Sequence, residues 1–229
     1  MKSSYSKNEI EKILEENDFE YHKVKLPYDL STPGADRHST LKKIFPKSLD
    51  SKSVLDVGCA NGFFCFEAES LGAERVVGIE LTDKRFKHAV LLKQILNSSV
   101  EFMQTNILDE TPTETFDYVL FLNVIHHLKD PILGLRNLAA ITKDKLIIEF
   151  PTFSDPKFKK YSRIKFPFFY NKRPLIGVSS LSDNDVDQTY VFSPAAITNI
   201  LLDHDRLFST IDFIDSPMGG GRKIAICKK

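Results

Sequence analysis

The sequence predicts an α/β fold built on a seven-stranded, mostly parallel sheet with an antiparallel strand at the C-terminal end. Three observations carry this. Apolar, β-forming segments alternate with helical ones from residue 53 to 150, which means parallel pairing through right-handed crossovers. The strands holding Val54-Leu55, Tyr118 to Leu122 and Leu146-Ile147-Ile148 are nearly continuous apolar runs, as strands buried on both faces are. Near the C-terminus two further strands flank Pro217-Met218-Gly219-Gly220-Gly221, a connection short enough to join antiparallel neighbours.

In chain order, Ile10, Ile13 and Leu14 recur at helical spacing and predict an amphipathic helix over 8 to 17, with Asn8 as its N-cap. Residues 21 to 38 mix aromatic, basic and turn residues without a period and read as a loop packed on the sheet. A short helix from Ser39 to Phe45 precedes Pro46. Strands follow at 53 to 57, 75 to 80, about 100 to 104, 116 to 122 and 144 to 150. The helices between them fall at 62 to 71, about 84 to 96 and about 131 to 142, the last with Pro131 in its first turn. Residues 151 to 191 break the rhythm as a long insertion. Ser193-Pro194 then caps a helix to about 203, and strands at about 207 to 214 and 223 to 227 close the fold. The expected organisation is an N-terminal helical and loop cap over 1 to 50 and one domain over 51 to 229.

Lys and Arg number 31 against 31 Asp and Glu, so attraction to nucleic acid must come from local clustering and not from the net field. Cys59, Cys65 and Cys227 form no CxxC pair and have no histidine cluster, which argues against a disulfide framework or a metal site. The polar N-terminus leads into no apolar run, and the most apolar stretch, Tyr118 to Leu128, is too short to span a bilayer. The expectation is a reduced, cytoplasmic protein with no membrane partner; whether it forms a homo-oligomer stays open.

The chemistry concentrates after the first strand. Val54 to Val57 ends at Gly58-Cys59-Ala60-Asn61-Gly62, and Phe63, Phe66 and Leu71 then recur at helical spacing, so the pattern reads strand, tight loop, helix. A helix beginning there aims its free N–H groups at whatever lies above the strand. Glu80 ends the second strand a little beyond the roughly twenty residues at which a ribose-binding carboxylate is expected. An ordinary strand-to-helix turn is the plain alternative. A nicotinamide-binding domain would want Gly-x-Gly-x-x-Gly, and Ala60 and Phe63 stand where two of those glycines belong. His126-His127 lies just past the fourth strand, at the carboxyl end of the sheet where ligands bind in open α/β folds. A neutral imidazole there can take a proton from a hydroxyl, or a histidine can simply pack the next helix.

Four patches resemble the class I S-adenosylmethionine-dependent methyltransferases, whose fold is Rossmann-like: Val54 to Gly62, Val77 to Glu80, Gln104 to Leu108, and Phe116 to Leu120 with Asn123 to Leu128. The resemblance implies S-adenosylmethionine as donor, direct displacement without a metal, and transfer to oxygen. It implies that the loop residues Gly58, Cys59, Ala60, Asn61 and Gly62 lie against the methionine part and ribose, that Glu80 accepts both ribose hydroxyls, and that Asn106 faces the adenine amino group. Leu81 and Ile107 would flank the ring, Asn123 would complete the donor site, and Asp56 would order the loop or meet the methionine amino end. His126 or His127 would serve as base. The family usually has glycine where Ala60 stands, so the backbone there is expected to keep φ below zero.

Tyr21-His22, Leu26-Pro27 and Thr32-Pro33-Gly34, with Asn61 to Ala68, narrow the resemblance to the tRNA wobble-uridine (5-oxyuridine) methyltransferases and carboxymethyltransferases. In that group the residues before the first strand close over the cofactor, which makes Arg37 a candidate ligand. Relatives using carboxy-S-adenosylmethionine need a cationic clamp, for which Arg37 and Arg222 are the candidates. Residues 157 to 173 hold seven basic residues, no acid and six aromatics, a composition suited to the phosphates and stacked bases of a tRNA loop. The same composition suits a lid over a small molecule, or a dimer contact. The acceptor is thus a tRNA wobble uridine derivative, with a small-molecule or glycan hydroxyl as alternative; a catalytically silent, cofactor-binding RNA-interaction module is the reading from another class.

Overall fold

In the computed structural model, which describes residues 4–156, 167–178 and 190–229, seven strands form one mostly parallel sheet in the order β3-β2-β1-β4-β5-β9-β8, the strands numbered along the chain. The chain divides into two units, Met1–Asp109 and Glu110–Lys229.

The first unit opens with α1 (Lys7–Glu16). Its cap is Ser6 and not Asn8: the Ser6 hydroxyl accepts from the Glu9 N–H and the Glu9 carboxylate accepts from the Ser6 N–H, a reciprocal box that satisfies both. Asn8 is already helical. A segment with isolated bridges follows, turning through Pro27–Asp29 with Tyr28 and Asp29 both left-handed, and leads to α2 (His38–Ile44). Then come β1 (Ser53–Val57), α3 (Phe63–Ser70), β2 (Arg75–Ile79), α4 (Asp83–Leu96) and β3 (Glu101–Met103). β1 pairs parallel with β2 and β2 with β3, Val57 opposite Ile79 and Ile79 opposite Met103. This register brings the carboxyl ends of β1 and β2 level, so the residues just past them, Gly58 and Glu80, start at the same height.

The second unit holds β4 (Phe116–Leu122), a 3₁₀ turn (Ile125–His127), α5 (Pro131–Ala140) and β5 (Thr142–Pro151). α6 (Pro167–Asn171), the two-stranded β6 (Ile176–Val178) and β7 (Tyr190–Phe192), and α7 (Pro194–Thr198) come next, α7 running on as a π-helix over Asn199–His204. β8 (Thr210–Asp215) and β9 (Arg222–Lys228) finish the chain. β4 and β5 are parallel; β9 is antiparallel to β5, and β8 to β9. Phe116, Phe121 and Phe150 are fully buried there, as the apolar runs require. The basic and aromatic stretch Lys157 to Phe166 lies outside the described residues.

Candidate functional site

Loop 58 to 62 is held mostly by bonds to the end of β2 and the residue after it. The N–H groups of Gly58 and Cys59 donate to the Ile79 carbonyl (2.8 and 3.0 Å), that of Gly62 to the Cys59 carbonyl (2.9 Å) and that of Ala60 to Glu80 Oε2 (2.9 Å). Gly62 has φ 84°, and a Cβ on it would come within 2.7 Å of the Phe102 ring, so only glycine fits. Ala60 also sits in the left-handed region, at φ 51°, which corrects the expectation of a negative φ. The bond to Glu80 explains it: the carboxylate draws the Ala60 N–H inward, and the residue accepts strain of order 1 kcal/mol to make it.

Glu80 is 4% exposed, and its other oxygen accepts from the Thr82 N–H (2.8 Å). A carboxylate offers about four lone-pair sites, so two partners leave capacity for a diol. Leu81 beside it is 62% exposed, an apolar surface open to a flat ring. Ile107 is buried and Asn106 half-buried. The Asn106 Oδ1 accepts from the Leu108 N–H (3.0 Å) and its Nδ2 donates to Asp109 (3.0 Å), a local turn that fixes the carboxamide and leaves Oδ1 a second lone pair.

The segment before β1 folds onto the start of α3. The guanidinium of Arg37 lies 5.3 Å from the Phe64 ring centroid and the residue is 4% exposed. His22 packs edge-on against Phe63 and Phe64. Its pKa is pushed down to about 3 by burial and, secondarily, by the charge of Arg37. Asn61 Nδ2 donates to the carbonyls of His22 (2.7 Å) and Glu20 (3.3 Å), while its Oδ1 is buried with no partner. Asp56 is 2% exposed and accepts from the Cys65 thiol (3.7 Å). Burial pushes its carboxyl up to about 7, the Cys65 hydrogen bond pulls back, the Glu80 charge adds to the rise and Arg37 opposes it. Its bond to Cys65 ties the end of β1 to α3.

The second unit gathers a polar network at the carboxyl end of its strands. Asn123, left-handed at φ 60°, donates through its N–H to the Glu149 carbonyl (2.8 Å) and through Nδ2 to Glu149 Oε2 (2.5 Å). Ser216 donates its hydroxyl to Glu149 Oε1, and Arg222 Nη1 donates to Asn123 Oδ1. Arg222 Nη2 lies 3.7 Å from Asp155. Glu149 is fully buried and was not a sequence candidate; the signal for it was one acid inside the run Leu146-Ile147-Ile148-Glu149-Phe150. His126 and His127 form the 3₁₀ turn after β4, their rings 4.1 Å apart; His126 is buried and His127 half-buried.

The sequence candidates thus fall into two sets, Arg37, Asp56, residues 58–62, Glu80, Leu81, Asn106 and Ile107 in the first unit and Asn123, His126 and His127 in the second. The first set fits a nucleoside with an amino-acid tail: a carboxylate with spare capacity, an exposed apolar side chain next to it, and a buried carboxamide oxygen lacking a donor. Among the described residues no cluster of metal-ligating side chains occurs and no helix is long and apolar enough to cross a membrane.

The strand order is that of the class I methyltransferase fold. The chain belongs to the methyltransferase domain family, whose model matches residues 35–200. It is 34% identical over 104 residues to a tRNA U34 carboxymethyltransferase of Alteromonas mediterranea, covering 43% of this chain and 30% of that protein. To a ubiquinone biosynthesis O-methyltransferase of Bradyrhizobium diazoefficiens it is 31% identical over 90 residues, 39% of this chain and 35% of the relative. The chain therefore matches about a third of the length of these relatives. Among solved structures, the N-terminal domain of EvdMO1 with S-adenosylhomocysteine bound is similar over 99% of both chains, with a TM-score of 0.66 and 13% identity.

Proposed function

We propose that this domain transfers a methyl group from S-adenosylmethionine to an oxygen by direct displacement, and that the acceptor is a tRNA wobble uridine derivative. The sulfonium supplies an activated methyl, so the protein's task is to hold donor and acceptor in line. Glu80 takes the ribose hydroxyls, Leu81 and Ile107 flank the adenine, Asn106 meets its amino group, and residues 58–62 admit the backbone close to the methionine part. His127, the more accessible of the pair, takes the acceptor proton, with His126 packed behind it. The observation that carries the reading is the buried Glu80 carboxylate, bound to the loop through Ala60 and still able to accept.

Calorimetry tests it: S-adenosylmethionine binds the protein, and Glu80→Ala abolishes binding. No binding, or full binding by the variant, overturns the assignment. For the acceptor, reversing the charges of Lys159, Lys160 and Arg163 weakens tRNA binding and flattens its salt dependence. Unchanged affinity and turnover would move the acceptor to a small-molecule hydroxyl, the second reading, which the ubiquinone biosynthesis relative supports. If the donor carries an extra carboxylate, the cationic clamp is Arg37, which lies over Phe64, or Arg222, which Asn123 and Asp155 hold. Mass spectrometry of the copurifying nucleotide decides between the two donors. The reading puts the reaction in the cytoplasm, where tRNA is.

A further inference from the structure

The Asn61 side chain hydrogen-bonds from the loop across to the segment from Phe19 to Arg37. Its two amide hydrogens go to the carbonyls of His22 and Glu20, 39 and 41 residues away in sequence. Its oxygen is buried and bonds to nothing, so the orientation of the carboxamide is fixed from one end only. The segment it grips is itself tightly folded. Lys23 N–H donates to the Ala35 carbonyl (3.0 Å), Ala35 N–H to Tyr21 (2.9 Å), Thr32 N–H to Val24 (3.0 Å), and the Thr32 hydroxyl donates to the same His22 carbonyl (2.9 Å). Gly34 lets the two strips touch: a Cβ there would fall 2.8 Å from the Tyr21 carbonyl carbon. The strip is also anchored by the His22 ring on Phe63 and Phe64, by Arg37 over Phe64 and by Tyr21 under the Arg85 guanidinium at 4.1 Å. Movement at residue 22 therefore moves a unit of about fifteen residues.

We propose that Asn61 is a positioning residue that couples donor occupancy to the order of this strip: the donor's ammonium engages the unpartnered Oδ1, fixes the carboxamide, and so fastens Nδ2 onto the His22 and Glu20 carbonyls. The inference rests on the donor reading above. Coupling of this kind is reciprocal, so loosening the strip from its far side must weaken the donor.

Hydrogen exchange followed by mass spectrometry, with and without S-adenosylhomocysteine, measures it. In the unmodified protein the product slows exchange of the Lys23, Thr32 and Ala35 amides about tenfold, the worth of the one charge-assisted hydrogen bond it adds at Oδ1. Asn61→Asp keeps an acceptor but cannot donate to the two carbonyls. It binds the product and loses the slowing in the strip, while protection around Gly58 to Gly62 persists. Thr32→Val leaves the loop untouched and guards against a misfolded loop variant; by reciprocity its affinity for the product, read by calorimetry, falls severalfold. Unaltered strip protection in Asn61→Asp overturns the coupling, as does unaltered affinity in Thr32→Val. Product that binds, protects the loop and leaves the strip unchanged in the unmodified protein overturns the coupling but not the donor reading. No binding at all overturns both.

Discussion

Ala60 pays for its hydrogen bond to Glu80 with a left-handed backbone at φ 51°. Replacing it with glycine keeps the N–H and removes the Cβ strain, so Ala60→Gly raises stability by about 1 kcal/mol, partly offset by the greater freedom of glycine in the unfolded chain. Thermal or urea melts without ligand check this. No local pattern announces the conformation, because its cause lies twenty residues away in a carboxylate. The same holds for Ser6, whose capping role depends on Glu9 as much as on itself. What was legible at this scale were residues set by covalent needs: Gly62, whose site excludes any side chain, and Glu80, whose place at the end of β2 follows from the strand's own length.

Two buried titratable groups act in opposite senses. His22 has its folded pKa depressed to about 3, so acidification from about 6.5 toward 3 protonates it only in the unfolded chain and costs stability. Asp56 has its folded pKa raised to about 7, so stability from this group is greatest below about 4 and is lost as pH rises toward 7. His22→Phe therefore makes the protein less sensitive to acid between pH 6.5 and 4, and Asp56→Asn flattens the loss between pH 4 and 7. Urea melts at stepped pH read both; parallel curves for variant and parent would contradict the assignment.

Among the elements, β1 and β4 fall where the apolar runs place them, and the helices after them end within two residues of expectation, because the apolar runs and helical periodicity were undisturbed there. The insertion was less legible. β6 and β7 are three residues each, and their partners are twelve or more residues apart, so neither alternation nor a turn signal marks them. The expected single helix to 203 changes to π geometry after Thr198, which no periodicity within so short a helix can foretell. One residue secures the chain's return from the insertion. Ser193, fully buried, accepts from the N–H groups of Ala196 and Leu175 (3.0 Å each) and donates to the Arg173 carbonyl (2.5 Å). Ser193→Ala removes all three bonds, but the Ala196 N–H keeps the Ser193 carbonyl and the Leu175 N–H keeps the Arg173 carbonyl, so the expected loss is that of a helix cap, about 1 kcal/mol, measured by chemical denaturation. A loss under half that would mean solvent replaces the hydroxyl.

At the scale of the whole chain, equal numbers of acidic and basic residues leave binding of any polyanion to local clusters, so its salt dependence reports how many cations the contact uses and not the protein's overall charge. The mostly parallel sheet with its antiparallel C-terminal end was readable because strands linked by helices pair in parallel and a short connection joins antiparallel neighbours. The division of the candidate groups between two units was not, since it depends on which residues of the chain lie near one another. All three cysteines are free and buried. Burial pushes the thiols of Cys59 and Cys65 above the usual range and that of Cys227 up to about 12, so none presents a reactive thiolate at neutral pH. A thiol-specific chromogenic reagent accordingly reacts with none of them in the folded protein and with three after denaturation. The native chain is then a dark background for site-directed labelling: a single cysteine introduced at exposed Tyr21 would carry a fluorophore at one defined place, and its emission could follow the N-terminal strip in real time.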